Sequence, residues 1–112
     1  MQIVEYLTEN GDSPFAAWFD RLDGQAAAKV TTALIRLGHG NTSNVESVGG
    51  GVYENKIDFG PGYRVYFGME GTELVILVGG GTKKRQSRDI EEARERWADY
   101  KTRKQLERKG RS

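Results

Sequence analysis

The middle of the chain shows the two-residue alternation of apolar and polar side chains that is typical of β-strands. Over residues 52–59, apolar side chains such as Ile57 fall on one face and charged ones such as Glu54 on the other, which predicts a strand with one solvent-facing side. Glycine-containing turns separate it from similar runs at 62–69 and 73–79, and three consecutive glycines are expected to end the last run. The pattern predicts a three-stranded antiparallel meander.

Predicted helices flank this region on both sides. Residues 2–7 have the composition of a first strand, after which Ser13 and Pro14 supply a helix N-cap and a first helical residue. Two amphipathic helices follow as a helical hairpin, the second ending at Gly38. After the meander, a polar loop over 82–87 leads into a helix whose apolar face carries Ile90, Ala93, Trp97 and Tyr100. This order of elements predicts an α+β protein.

Length and composition narrow the possibilities further. At 112 residues the chain fits a single domain. It has no cysteine and one histidine, which excludes disulfides, thiol nucleophiles and metal sites built from several cysteines or histidines. His39 lies in a polar loop with no complementary motif beside it, so a solvated histidine is expected. The N-terminal residues include acidic side chains and no long apolar run, so we expect a cytoplasmic protein without a signal peptide or membrane span.

The formal net charge of +1 is unevenly distributed along the chain. Residues 1–82 hold five basic and ten acidic side chains, a net charge of −5, whereas residues 83–112 hold twelve and six, a net charge of +6. A polyanion or an acidic partner would therefore meet the C-terminal quarter of the chain. Because Leu106 is the main apolar anchor near the end, residues 103–112 are predicted to form a basic, frayed tail.

Several cations are expected to converge at one end of the sheet. Arg64 and Tyr66 share a face of the second meander strand, because side chains alternate with a period of two. The third strand runs antiparallel to the second, so the loop that carries Lys83, Lys84 and Arg85 begins near Arg64. A cluster of this kind suits a phosphate group.

A plainer interpretation of the same residues stays open. A basic loop after a strand is usually a solvated surface, and Arg64 can pair with Glu54 or Asp58 across the sheet. The sequence GGGTKK lacks the lysine and serine or threonine spacing of a P-loop. Neither paired carboxylates nor a serine–histidine pair occurs at a recognisable spacing.

Three segments give the chain a family resemblance: GPGYRVYF at residues 60–67, the apolar strand that ends in GGG, and a run matched by Lys83, Gln86, Asp89, Ile90 and Ala93. From residue 1 to about residue 100, the chain resembles the RelE/ParE superfamily of toxins, in particular the HigB-like, phage-derived addiction module killer proteins. The resemblance implies one RelE-like toxin domain over 1–102. Its α+β fold would place a strand and a helical hairpin before a three-stranded antiparallel meander and a C-terminal helix, with a sheet of about four strands.

The resemblance also implies a function, that of a type II toxin which cleaves messenger RNA on the ribosome. In this chemistry a ribose 2'-hydroxyl attacks the adjacent phosphate, and the enzyme supplies cations and proton transfer without a metal or other cofactor. Arg64 matches the strand arginine that steadies the phosphorane. Lys83 and Lys84 fall near positions that orient phosphate or assist proton transfer, and Tyr66 is the aromatic hydroxyl beside Arg64. The implied substrate-binding residues are Arg85, Gln86 and Arg88.

The implied partners are ribosome-bound messenger RNA and a small cognate antitoxin of the helix-turn-helix type, with no metal and no membrane. RNA-cleaving relatives often carry a histidine or tyrosine acid or base near the end of the sheet or the C-terminus. Here His39 lies in another segment and Tyr100 lies on the apolar face of the last helix. Two other functions therefore stay open: a ParE-like inhibitor of DNA gyrase, and a non-catalytic module that binds an antitoxin or nucleic acid.

Overall fold

The computed structural model describes residues 1–110 of the chain. Within that range the chain forms five β-strands and three α-helices in an α+β arrangement around one mixed sheet. The elements are β1 (Gln2–Glu5), α1 (Pro14–Phe19), α2 (Gly24–Gly38), β2 (Val45–Gly49), β3 (Val52–Ile57), β4 (Tyr63–Glu70), β5 (Leu74–Thr82) and α3 (Gln86–Gly110), with a 3-10 turn over Lys83–Arg85 before α3.

The strands lie in the order β1-β5-β4-β3-β2. β1 pairs with β5 in parallel, whereas the pairs among β2, β3, β4 and β5 are antiparallel. The predicted order of a strand, two helices, a meander and a final helix is confirmed. The expected sheet of about four strands is wrong, because β2 adds a fifth at the edge. Its sequence VESVG is short and mixes two valines with polar residues, and the glycines that follow form the turn into β3 with positive φ angles.

β5 continues through the three glycines that were expected to end it. Helix packing explains this difference. A Cβ on Gly80 would overlap the ring of Trp18 in α1, and one on Gly81 would overlap the carboxylate of Asp89 in α3. Glycine therefore lets both helices approach the backbone at this end of β5, while the strand itself continues.

Helices cover both faces of the sheet. α1 and α2 pack on one face around a core that includes Phe15, Val30 and Phe67. α3 lies on the other face, where Tyr66 and Trp97 belong to a second buried cluster. The sequence predicted that one face of β3 would be exposed to solvent. This prediction is wrong, because α3 covers part of that face.

α3 runs without a break to Gly110, where the sequence predicted a frayed tail over 103–112. Arg103 contributes to this order, because it pairs with Asp99 at 2.7 Å and donates a hydrogen bond to the Leu7 carbonyl. Residues 111–112 lie outside the described part of the chain. Among the helices of residues 1–110, none has both the length and the apolar character needed to cross a membrane.

Candidate functional site

The beginning of β4 and the end of β5 meet at one end of the sheet. Arg64 is the register partner of Gly81, and Lys83 follows directly after β5. The Lys83 backbone N–H donates a 3.1 Å hydrogen bond to the Gly62 carbonyl, which fixes the 3-10 turn against the turn before β4. Gly62 has a φ of +83°, and a Cβ there would lie 3.7 Å from both Arg64 Nη1 and Lys83 Cβ. The structure thus brings Arg64 and Lys83 together, as the topology predicted.

Arg64 contacts the buried carboxylate of Glu54. Arg64 Nε lies 2.9 Å from Glu54 Oε1, and the two side chains are 11% and 1% exposed. The N–H of Nε is not aligned well enough for a regular hydrogen bond, so the contact is chiefly ionic. Gln86 Nε2 donates a 2.8 Å hydrogen bond to the same oxygen. Of the two carboxylates that the sequence offered to Arg64, Glu54 is the partner, while Asp58 is exposed.

Tyr66 is fully buried beneath α3. Its hydroxyl makes no hydrogen bond of regular geometry within the described residues, although Glu54 lies near enough to affect it. Burial raises the pKa of the Tyr66 phenol above its ordinary value, and the negative charges of Glu54 and Asp89 raise it further. The phenol therefore keeps its proton and does not reach solvent, so the predicted catalytic role of Tyr66 has no direct path to a substrate.

Exposed cations follow the end of β5 in the chain. All three residues of the 3-10 turn, Lys83–Arg85, are exposed. Arg88 is also exposed and lies 3.5 Å from Glu92, one turn further along α3. Of the predicted substrate-binding residues, Arg85 and Arg88 thus face solvent, whereas Gln86 contacts Glu54.

Two residues of this site were missed as candidates in the sequence. Glu54 is one, and Lys56, the register partner of Arg64 on β3, is the other. Lys56 pairs with Glu46 of β2 at 3.1 Å and remains partly exposed. The alternation along β3 already placed Glu54 and Lys56 on one face, which was the available signal. The sequence did not give the position of α3, which covers Glu54 and leaves Lys56 partly exposed.

A polar groove of about 220 Å³ adjoins the basic turn, between α1 and α3. Burial raises the pKa of Asp89 in this groove, although the positive charge of Arg85 opposes the shift. Basic and acidic side chains both line the groove, so it does not extend the positive surface evenly. Its charged lining residues are Arg21, Arg85, Asp89, Glu92 and Arg96.

His39 lies apart from this site, exposed at the end of α2, where it lines an apolar groove with Met1 and Ile35. Its exposure agrees with the solvated histidine that the sequence predicted. Across residues 1–110, no cluster of three or more histidine, aspartate or glutamate side chains is arranged to hold a metal ion.

The fold and the site together define a small α+β protein with a candidate phosphate-binding site at the end of its sheet. No family model matches the chain. Over 81 residues it is 41% identical to a protein of Haemophilus influenzae that carries the name "Uncharacterized protein"; the match covers 71% of this chain and 82% of that protein. The chain therefore belongs to the same family as this Haemophilus protein. That name states no activity.

Proposed function

We propose that this protein is the toxin of a type II toxin–antitoxin module and that it has a RelE-like fold of the HigB-like branch. In this proposal it acts in the cytoplasm as a ribosome-dependent messenger RNA endoribonuclease. The observation that carries the proposal is the juxtaposition of Arg64 and Lys83 at the end of the sheet, with the other cations of the 3-10 turn beside them. A cluster of fixed cations suits a reaction in which negative charge develops on a phosphate.

The proposed reaction needs little from the protein besides cations and proton transfer. The 2'-hydroxyl of a ribose loses its proton and attacks the adjacent phosphorus, and the bond from phosphorus to the 5'-oxygen breaks as that oxygen gains a proton. Arg64 Nη1 lies on the side of Gly62 and Lys83, whereas Nε lies beside Glu54, so the guanidinium can meet the phosphate through Nη1. There it would stabilise the charge that builds up on the non-bridging oxygens.

Proton transfer is assigned to the exposed lysines of the turn. Tyr66 is buried, and His39 lies in the groove beside Met1 and Ile35, away from Arg64, so neither is assigned this role. Lys83 is beside Arg64, and Lys84 follows it on the surface. An arginine at position 83 would keep a positive charge but could not give up a proton, because guanidinium groups stay protonated in proteins. Lys83→Arg should therefore bind the ribosome normally and cleave slowly if Lys83 moves a proton, whereas normal cleavage would limit Lys83 to charge stabilisation.

The proposal includes a small antitoxin of the helix-turn-helix type. Residues 83–112 carry a net charge of +6, so an acidic segment of such a partner would be attracted to the basic turn. Covering Arg64 and the turn would block the approach of messenger RNA.

Primer-extension mapping of cellular transcripts after brief expression tests the proposal. We expect cuts in frame with translated codons, and we expect Arg64→Lys to reduce them strongly, because a lysine cannot reproduce the forked donor geometry of arginine. Arg108→Ala is the matched control, since Arg108 is an exposed cation beside Glu70 at the opposite end of β4. Intact transcripts together with inhibited supercoiling by purified DNA gyrase would replace the proposal with a ParE-like function. Nucleic-acid binding with neither effect would leave a non-catalytic module.

A further inference from the structure

We infer that Glu54 is a positioning residue, which orients the guanidinium of Arg64 and anchors the basic 3-10 turn beside it. The inference rests on the proposed function, because it assigns Glu54 a role in that reaction. Glu54 is 1% exposed and so does not touch a substrate itself. Its effect would be transmitted through the groups that contact it.

Burial of Glu54 is difficult to explain by stability alone. Taking a carboxylate out of water is unfavourable, and its attraction to a nearby guanidinium offsets this only in part. A pair of apolar side chains of similar volume is often equally stable at such a position. A buried ion pair does, however, fix the direction of the arginine, which an apolar pair could not do.

The contacts of Glu54 join three elements of the site. Glu54 lies in β3, Arg64 lies in β4, and Gln86 is the first residue of α3. Gln86 follows directly after Lys83–Arg85, so its 2.8 Å hydrogen bond to Glu54 ties the turn to the same oxygen that faces Arg64. One buried oxygen therefore sets the position of Arg64 relative to the exposed cations.

Glu54→Gln tests this inference with little change in size. The amide oxygen can still accept the hydrogen bond from Gln86, but the amide carries no negative charge and so removes the ionic contact with Arg64. Arg64 would lose its ionic partner and settle into several orientations. Since a misplacement of about 1 Å can reduce a rate about 100-fold, we expect kcat to fall by about 10- to 100-fold, with KM for programmed ribosomes changed less than about twofold.

The experiment measures RNA cleavage by the purified full-length protein on ribosomes programmed with a short messenger RNA. Glu70→Gln is the matched control, because Glu70 is a partly exposed carboxylate at the other end of β4, where Tyr100 donates a hydrogen bond to it. It should cleave at the wild-type rate. Gln86→Ala provides a second variant of the same network, at a partly exposed position, and should lower kcat in the same direction but less.

A double variant shows whether Glu54 acts through Arg64. In an Arg64→Lys background, adding Glu54→Gln should cause little further loss, because the group that Glu54 orients is already gone. A full additional loss would overturn the inference, and so would wild-type kcat in a folded Glu54→Gln protein that cleaves at the same codons. If Glu54→Gln does not fold, wild-type kcat in Gln86→Ala would overturn it instead. Absence of cleavage by the wild-type protein would reject the proposed function, and the role of Glu54 in it, together.

Discussion

Replacing Arg64 with alanine should weaken the fold as well as the candidate site. The substitution removes the ionic partner of Glu54 while that carboxylate stays buried. Breaking a buried ion pair by deleting one partner costs about 3–5 kcal/mol. Gln86 still donates a hydrogen bond to Glu54, so we expect a value near the lower limit, about 3 kcal/mol. For a domain with a total stability of about 5–15 kcal/mol, this is a large fraction.

Urea and thermal unfolding followed by circular dichroism would measure this loss. About 3 kcal/mol corresponds to a decrease in Tm of about 10 °C or more for a domain of this size. Arg108→Ala is the control, because Arg108 is an exposed arginine that pairs with Glu70 at 3.5 Å. Its removal should change the free energy of unfolding by less than about 1 kcal/mol.

The double variant Arg64→Leu with Glu54→Leu tests whether the unpaired carboxylate of Glu54 causes the loss of stability. Two apolar side chains remove the unpaired carboxylate, so this protein should regain most of the lost stability and still lack the proposed RNA cleavage. An Arg64→Ala protein that unfolds within about 1 kcal/mol of wild type would contradict the idea that Glu54 depends on Arg64. If the expected loss is found, a weaker effect of Arg64→Ala in cells would follow from unfolding as well as from lost catalysis, and Arg64→Lys becomes the informative variant for the proposed function.

Three further predictions follow from other contacts. Gly80→Ala should lower stability by about 1–3 kcal/mol in urea unfolding, because the new methyl group meets Trp18, whereas Gly24→Ala meets nothing within 4 Å and should be neutral or stabilising; equal effects would contradict this packing. Tyr6→Phe removes a 2.7 Å hydrogen bond to Asp99 that lowers the Asp99 pKa, and should cost about 1 kcal/mol at pH 7. The pKa of Asp99 in the folded protein lies below its unfolded value of about 3.9, so the stability that this hydrogen bond contributes is present above about pH 3.9 and is lost as pH falls through the folded pKa. The stability difference between wild type and Tyr6→Phe should therefore shrink in acid, and a difference that grows in acid would refute this explanation. Tyr66→Phe should change stability by less than about 1 kcal/mol and leave the proposed RNA cleavage intact, since among residues 1–110 the buried hydroxyl has no regular hydrogen-bond partner; loss of that cleavage in a folded protein would restore the predicted catalytic role.

Local patterns predicted most elements of the fold. Ser13 accepts a hydrogen bond from the Ala16 N–H and Pro14 begins α1, as their sequence suggested. The apolar face of α3 was also recognised, with Ala93 and Trp97 buried in the structure. β2 was missed because a five-residue edge strand is defined by its pairing with β3 rather than by its own composition. Whether a glycine interrupts β5 likewise depends on which helix packs against it, and no local pattern gives that information.

The candidate site shows the same division between local and tertiary information. Antiparallel pairing of β4 and β5 was enough to place Arg64 near Lys83, since that relation follows from topology. The roles of Glu54 and Tyr66 depend instead on α3, which crosses the face that the alternation of β3 presented as solvated. Burial then distinguishes residues that share a face of the sheet: it excludes the Tyr66 hydroxyl from solvent, encloses Glu54 and leaves Arg64 only slightly exposed. An arginine that is held at Nε by a buried carboxylate and has Nη1 on the side of Lys83 is suited to bind a phosphate in one orientation, which a cluster of freely rotating surface cations would not achieve.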